Sequence, residues 1–211
     1  MIGSLLGIVD IIFEQINLPI LTRSVLIIAI WIYLTGGLHL DGVIDSADGL
    51  GVQDQQRRLE VMKDSLTGAY GVIASVILLL LKTAALTDLS SSRWFALICA
   101  TTWGRWGQLM AISLYPYLRE TGKGAFHKES LNLPQDLIVG SIFIPLLMLT
   151  QFFILDHSWW LIFLIQLICA TISLLIGYWF NRKLGGHTGD TYGAVVEWSE
   201  AFILCFFTIY C

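Results

Sequence analysis

Apolar residues run in long blocks separated by short polar segments. Six blocks, residues 22–38, 69–86, 94–115, 137–155, 159–179 and 194–210, approach the roughly 20 residues that a helix needs to cross a bilayer. A seventh, residues 2–16, is shorter and carries Asp10 and Glu14. It is compatible with a full span, a re-entrant piece or a surface helix. It lacks a basic leader, so it does not read as a cleavable signal peptide. No linker, low-complexity stretch or internal repeat interrupts the pattern. The pattern predicts an all-α, polytopic membrane helical bundle of six to seven transmembrane segments, with residues 1–211 forming one integral membrane domain.

Composition agrees. The chain is 56% hydrophobic and 13% charged, against about 25% charged in soluble domains. Its net charge is −4 and no basic tail is present, which argues against a nucleic-acid partner. Cys99, Cys169 and Cys205 lie inside apolar runs and Cys211 is terminal. Without a C-x-x-C pair they suggest neither a zinc site nor a disulfide framework. Basic residues are unevenly placed. Arg57, Arg58 and Lys63, then Arg119, Lys123 and Lys128, then Arg182 and Lys183 fall in loops on one side, and only Arg23 and Arg93 on the other. The positive-inside bias places the first three loops in the cytoplasm.

The chemistry concentrates where the first of these loops begins. Asp41, Asp45 and Asp48 are spaced by four and seven residues, which on a helix returns to within roughly 40° of one azimuth. Three close carboxylates repel unless cations or protons neutralise them. Beside a bilayer they suggest a divalent metal and a phosphate-bearing substrate. In the run from Arg57 to Ser65, Glu60 and Asp64 share a helical face, while Arg57, Arg58 and Lys63 are suited to diphosphate oxygens. An interfacial amphipathic helix is the alternative there. Arg182 to Asp190 is glycine-rich and suits either an anion-binding loop or a helix-capping turn. Arg105 falls mid-span and should face inward, with Glu197 or Glu200 as candidate partner, whereas Lys82 should snorkel. His39 and His187 read as ligand, proton carrier or hydrogen-bonded spectator.

Four blocks together resemble the cobalamin synthase family. They are G-G-L-H-L-D-G-x-x-D-x-A-D-G-L from Gly36 to Leu50, M-K-D-S-x-x-G-x-Y-G from Met62 to Gly71, G-R-W from Gly104 to Trp106, and G-G-H-T-G-D-T-Y-G-A from Gly185 to Ala194. The resemblance implies a membrane adenosylcobinamide-GDP ribazoletransferase of late cobalamin biosynthesis. Such an enzyme joins adenosylcobinamide-GDP to α-ribazole, or its 5′-phosphate, and releases GMP with Mg²⁺ as cofactor. It implies catalytic and metal-binding roles for Asp41, Asp45, Asp48 and Asp64. Arg57, Arg58, Lys63, Arg105, His187 and Asp190 are then expected to bind substrate, and a homo-oligomer stays open. Two departures stand out. Family members usually begin with a further N-terminal segment, so a short form is expected here. Leu66 stands where the family usually has arginine.

Two other readings are weaker. A CDP-alcohol phosphotransferase would share Asp45-Ser46-Ala47-Asp48-Gly49, but no A-R follows, and Glu60 and Asp64 lack the preceding glycine. A transporter would carry polar residues at the midplane of several spans, whereas these acids cluster at one surface.

Overall fold

The computed structural model describes all residues except 65, 90, 120–122 and 211. Ser65 of the M-K-D-S block and Cys211 therefore lie outside the described residues, as do the side chains of Lys123 and His127. The helices are α1 (Ile2–Gln15), α2 (Ile20–Leu34), α3 (Leu38–Gly51), α4 (Gln55–Val61), α5 (Ala69–Asp88), α6 (Arg93–Leu114), α7 (Lys123–Glu129), α8 (Gln135–Ser141), α9 (Phe143–Phe153), α10 (Trp159–Leu184) and α11 (Gly189–Tyr210). The only β-feature among the described residues is an isolated parallel bridge between Tyr117 and His187.

The all-α membrane bundle stands; length and hydropathy alone mark fewer helices than the six to seven spans expected. Among the described residues, four helical stretches are long and apolar enough to cross a bilayer: Ala69–Asp88, Gln135–Phe153, Trp159–Leu184 and Gly189–Ile209. α2 and α3 together make a fifth if the bent pair is counted as one. α1 is 14 residues long, about 21 Å at 1.5 Å per residue, too short for a core about 30 Å thick. α6 has the length, at 22 residues. However, it carries Arg93, Thr101, Thr102, Arg105 and Gln108 and is largely buried against α1, α10 and α11. Protein rather than lipid is its main surrounding, so the hydropathy of its sequence is diluted.

α2 and α3 meet at 90°. Gly36 and Gly37 make this corner with φ of +62° and +69°, a region that costs glycine nothing and other residues a clash. The corner swings α3 across the bundle, onto the first turns of α11 and α5. Gly42 is where α3 and α11 touch: a Cβ there would collide with the carbonyl oxygen of Asp190.

One apolar cluster joins α1, α2, α6, α9, α10 and the C-terminal half of α11 through residues such as Leu6, Ile27, Trp31, Phe95 and Phe207. A second lies under α3, around Val43, Leu78, Phe180, Tyr192 and Val195. Large apolar side chains on the outside, such as Leu80, Ile138 and Trp160, suit a lipid surround.

Buried charges are paired differently from the sequence expectation. Lys82 does not snorkel. It is buried, 2.5 Å from Glu197 and 2.7 Å from Glu200, with its ammonium 4.3 Å from the Trp31 ring centre. Arg105 therefore pairs with neither glutamate; its Nη1 lies 2.7 Å from His39 Nε2. Lys82 wins because it projects from α5 directly onto the α11 face that carries both acids. Near the other end, Asp10 of α1 binds Arg93 at 2.8 Å and Arg23 at 3.2 Å. That buried cluster fastens the short first helix to α2 and α6.

Candidate active site

Three of the four blocks meet at one end of the bundle, and Arg105 of the fourth reaches His39 from the middle of α6. Asp41 is exposed, Asp45 half-buried and Asp48 buried, in order along α3. Asp48 accepts hydrogen bonds from the amides of Gly68 (2.7 Å) and Gly71 (2.8 Å). It thus caps the start of α5, where unpaired amides and the helix dipole favour a carboxylate. A Cβ at Gly71 would stand 2.5 Å from Asp48 Oδ2, so that block needs glycine to receive the cap. Each Asp48 oxygen keeps a second lone pair, but its orientation is fixed by α5.

Asp41 and Asp45 have no direct hydrogen-bond or ion-pair partner among the described residues. Asp45 lies in the electrostatic field of Asp41, Asp190 and Asp48, opposed by Arg119. Asp190, in the first turn of α11, forms a 2.7 Å ion pair with Arg119. Arg119 also donates to the carbonyl of Met62 at 3.1 Å, which draws the end of α4 to the same place. Sequence reading placed Arg119 only in a basic loop and missed it as a site residue. Its position comes from a backbone clip: the Leu118 amide donates to the His187 carbonyl and the His187 amide to the Pro116 carbonyl, both at 2.8 Å.

The rest of the glycine loop is internally committed. Thr188 and Thr191 cap α11 reciprocally, with the Thr188 amide donating to Thr191 Oγ1 at 2.8 Å and the Thr191 amide to Thr188 Oγ1 at 3.3 Å. His187 is fully buried, with Nδ1 3.0 Å from Thr191 Oγ1 and Nε2 3.1 Å from the Gly177 carbonyl. Both its ring nitrogens are used inside the protein, and the ring stacks against Tyr115 and Tyr192 rather than lying on an open surface.

Burial lowers the pKa of His187 to about 4, and Lys128 pushes the same way, although the Gly177 carbonyl opposes them. A histidine kept neutral in the fold and free to protonate on unfolding stabilises fully above pH 6.5, and that contribution is lost as pH falls toward 4. The advantage in melting temperature of wild type over His187→Asn, in detergent, should therefore shrink across that window. A constant advantage would show that His187 is not held neutral.

The other expected contacts are dispersed. Arg58 is half-buried and donates to the carbonyls of Val52 (3.0 Å) and Lys183 (2.9 Å), so it ties α3 and α4 to α10 rather than facing a ligand. Arg57 and Lys63 are exposed. Asp64 is exposed and its Oδ1 accepts from the Leu66 amide at 3.1 Å. Arg105 and His39 join α6 to α3 two residues before Asp41. Since arginine only donates, His39 Nε2 is the acceptor and the ring proton sits on Nδ1.

Among the described residues no three of His, Cys, Asp and Glu stand together as a preformed metal cage. What the site presents is an open set of carboxylates on α3, facing an acid–arginine pair on a neighbouring helix start. With the helical membrane bundle around it, this defines a polytopic membrane protein with a carboxylate-rich polar site at one end.

The model of the family Cobalamin-5-phosphate synthase matches residues 1–208, and the chain belongs to that family. An adenosylcobinamide-GDP ribazoletransferase from Trichormus variabilis is 51% identical over 209 residues, covering 99% of this chain and 82% of the relative. One from Synechocystis sp. is 53% identical over 187 residues, covering 87% and 72%. One from Brevibacillus brevis is 39% identical over 190 residues, covering 86% and 72%. No solved structure matches the chain.

Proposed function

We propose that this chain is an adenosylcobinamide-GDP ribazoletransferase: it joins adenosylcobinamide-GDP to α-ribazole, or to its 5′-phosphate, and releases GMP. Family membership supports the activity, and the observation that carries the site assignment is Asp41 and Asp45 standing uncommitted opposite the Asp190–Arg119 pair.

The donor chemistry fits Mg²⁺. That ion prefers oxygen ligands and is usually bound by one or two carboxylates, completing its shell with water and substrate phosphates rather than a full protein cage. Asp41 and Asp45, with Asp48 held by α5, would hold it. Mg²⁺ bound there would neutralise charge on the diphosphate oxygens. Asp64 is exposed and already accepts from the Leu66 amide, so it is left out of the proposed ligands.

The chain's own groups supply positioning. Arg119 lies beside the acids and is suited to a non-bridging phosphoryl oxygen, with Asp190 fixing its fork. Arg57 and Lys63 offer charge for the outer phosphate. In the displacement, a ribazole hydroxyl oxygen bonds to the phosphorus on the cobinamide side. The bridging P–O bond breaks, its electron pair leaves with GMP, and the hydroxyl proton passes to a carboxylate. Asp45 is the proposed acceptor rather than Asp48, because backbone amides occupy both Asp48 oxygens.

The basic loops suggest that this end faces the cytoplasm of an inner membrane. Inside-out membrane vesicles should release GMP from added adenosylcobinamide-GDP and α-ribazole. Right-side-out vesicles should not, and chelation should abolish the reaction until Mg²⁺ is restored. Activity confined to right-side-out vesicles would reverse the orientation, and chelator-resistant release would remove the metal.

A further inference from the structure

The side of α3 away from its acids lines a second feature. Between α3, α5, α10 and α11 lies an apolar groove of about 530 Å³, walled by Ser46, Leu175, Trp179, Phe180, Trp198 and Phe202 among others. Leu175, Trp179 and Phe202 are 59%, 47% and 44% exposed and lie on the spanning helices α10 and α11, so the groove opens sideways toward lipid. It is not continuous with the carboxylate face. On a helix, Val43, Ser46, Ala47 and Leu50 lie opposite Asp41, Asp45 and Asp48.

Three observations specify an occupant. Ser46 is 1% exposed, and its hydroxyl has no hydrogen-bond partner although it lines this apolar wall. A buried unpaired hydroxyl is costly, so a group able to hydrogen-bond is expected beside it. Ser46 also sits at the depth of the first turns of α5 and α11: its neighbours Asp48 and Gly42 touch Gly71 and Asp190. Finally, one wall ends in cations. Lys183 lies one turn beyond Trp179, with its ammonium 5.9 Å from that ring centre, and Arg182 beside it is exposed.

An apolar trough open to the bilayer, a hydroxyl donor near the interface and two cations above it match the order of parts in an anionic phospholipid. We infer that the groove seats one such lipid from the leaflet on the acidic site's side. Its phosphate meets Arg182 and Lys183, an ester carbonyl accepts from the Ser46 hydroxyl, and an acyl chain runs along Trp179 and Phe202. The lipid packs directly behind the helix that carries Asp41, Asp45 and Asp48.

Native mass spectrometry of the full chain, purified in mild detergent and offered dioleoyl phosphatidylglycerol or dioleoyl phosphatidylcholine, reads this directly. One retained phosphatidylglycerol is expected, favoured over phosphatidylcholine by about thirty-fold, the preference two interfacial cations supply. Arg182→Gln with Lys183→Gln should equalise the two lipids. Ala47→Phe, which fills the groove, should remove both. Equal retention of the two lipids by wild type would overturn the proposal, as would retention unchanged in the double variant. A dimer mass that disappears with Ala47→Phe would assign the groove to a second copy of the chain and overturn it as well. The double variant alters only exposed side chains, so the test stands even if Ala47→Phe fails to fold.

Discussion

Asp45→Asn should lower turnover by at least about 100-fold, the scale of losing an electrostatic contact to the transition state, while leaving the melting temperature near that of wild type. Asp45 makes no hydrogen bond that holds the fold, and its field is dominated by other carboxylates. Removing its charge therefore relieves repulsion and costs the structure little. Asp41→Asn should behave in the same way, because Asp41 is exposed. Asp48→Asn is the contrasting case. It removes both a charge from the α5 dipole and one of the two oxygens that accept from Gly68 and Gly71. Stability should then fall by about 1–3 kcal/mol together with activity. Turnover in detergent with parallel melting curves separates the two patterns. Near-wild-type turnover in Asp45→Asn would remove Asp45 from the reaction.

Lys82→Met should destabilise the protein by about 3–5 kcal/mol, the range for removing one partner of a buried charge pair. Lys82 is the nearest cation to both Glu197 and Glu200, at 2.5 and 2.7 Å, and all three side chains are buried. Without it, two carboxylates share one dry site. Arg105 is committed to His39 and does not reach either acid as an ion-pair partner. Adding Glu197→Gln and Glu200→Gln to Lys82→Met should restore most of the loss, because the unpaired charges go with the lysine. If the single variant melts like wild type, the three residues are not an energetic unit.

The parts of this molecule that sequence made legible are those governed by local periodicity. Offsets of four and seven residues put Asp41, Asp45 and Asp48 on one side of α3, and apolar block length found α5, α10 and most of α11. Contacts between distant segments were not legible. Lys82 and Arg105 are each a single charge in an apolar run, and which one meets Glu197 and Glu200 depends on how α5 and α6 are rotated against α11. Arg119 looked like one of several loop cations because its approach to Asp190 is set by the clip between Pro116, Leu118 and His187. The pair Gly36-Gly37 was a readable signal for the 90° corner, but not for the direction of the turn. His187 is the reverse case. A histidine in a glycine-rich loop resembles a ligand contact until burial and two internal hydrogen bonds are seen.

The central claim is the transfer itself. Purified protein incubated with adenosylcobinamide-GDP, α-ribazole and Mg²⁺, with products resolved by mass spectrometry, tests it most directly. The account predicts GMP and the joined adenosylcobalamin in equal amounts, and neither product without α-ribazole. Release of GDP instead of GMP, or GMP formed without the joined product, would contradict it.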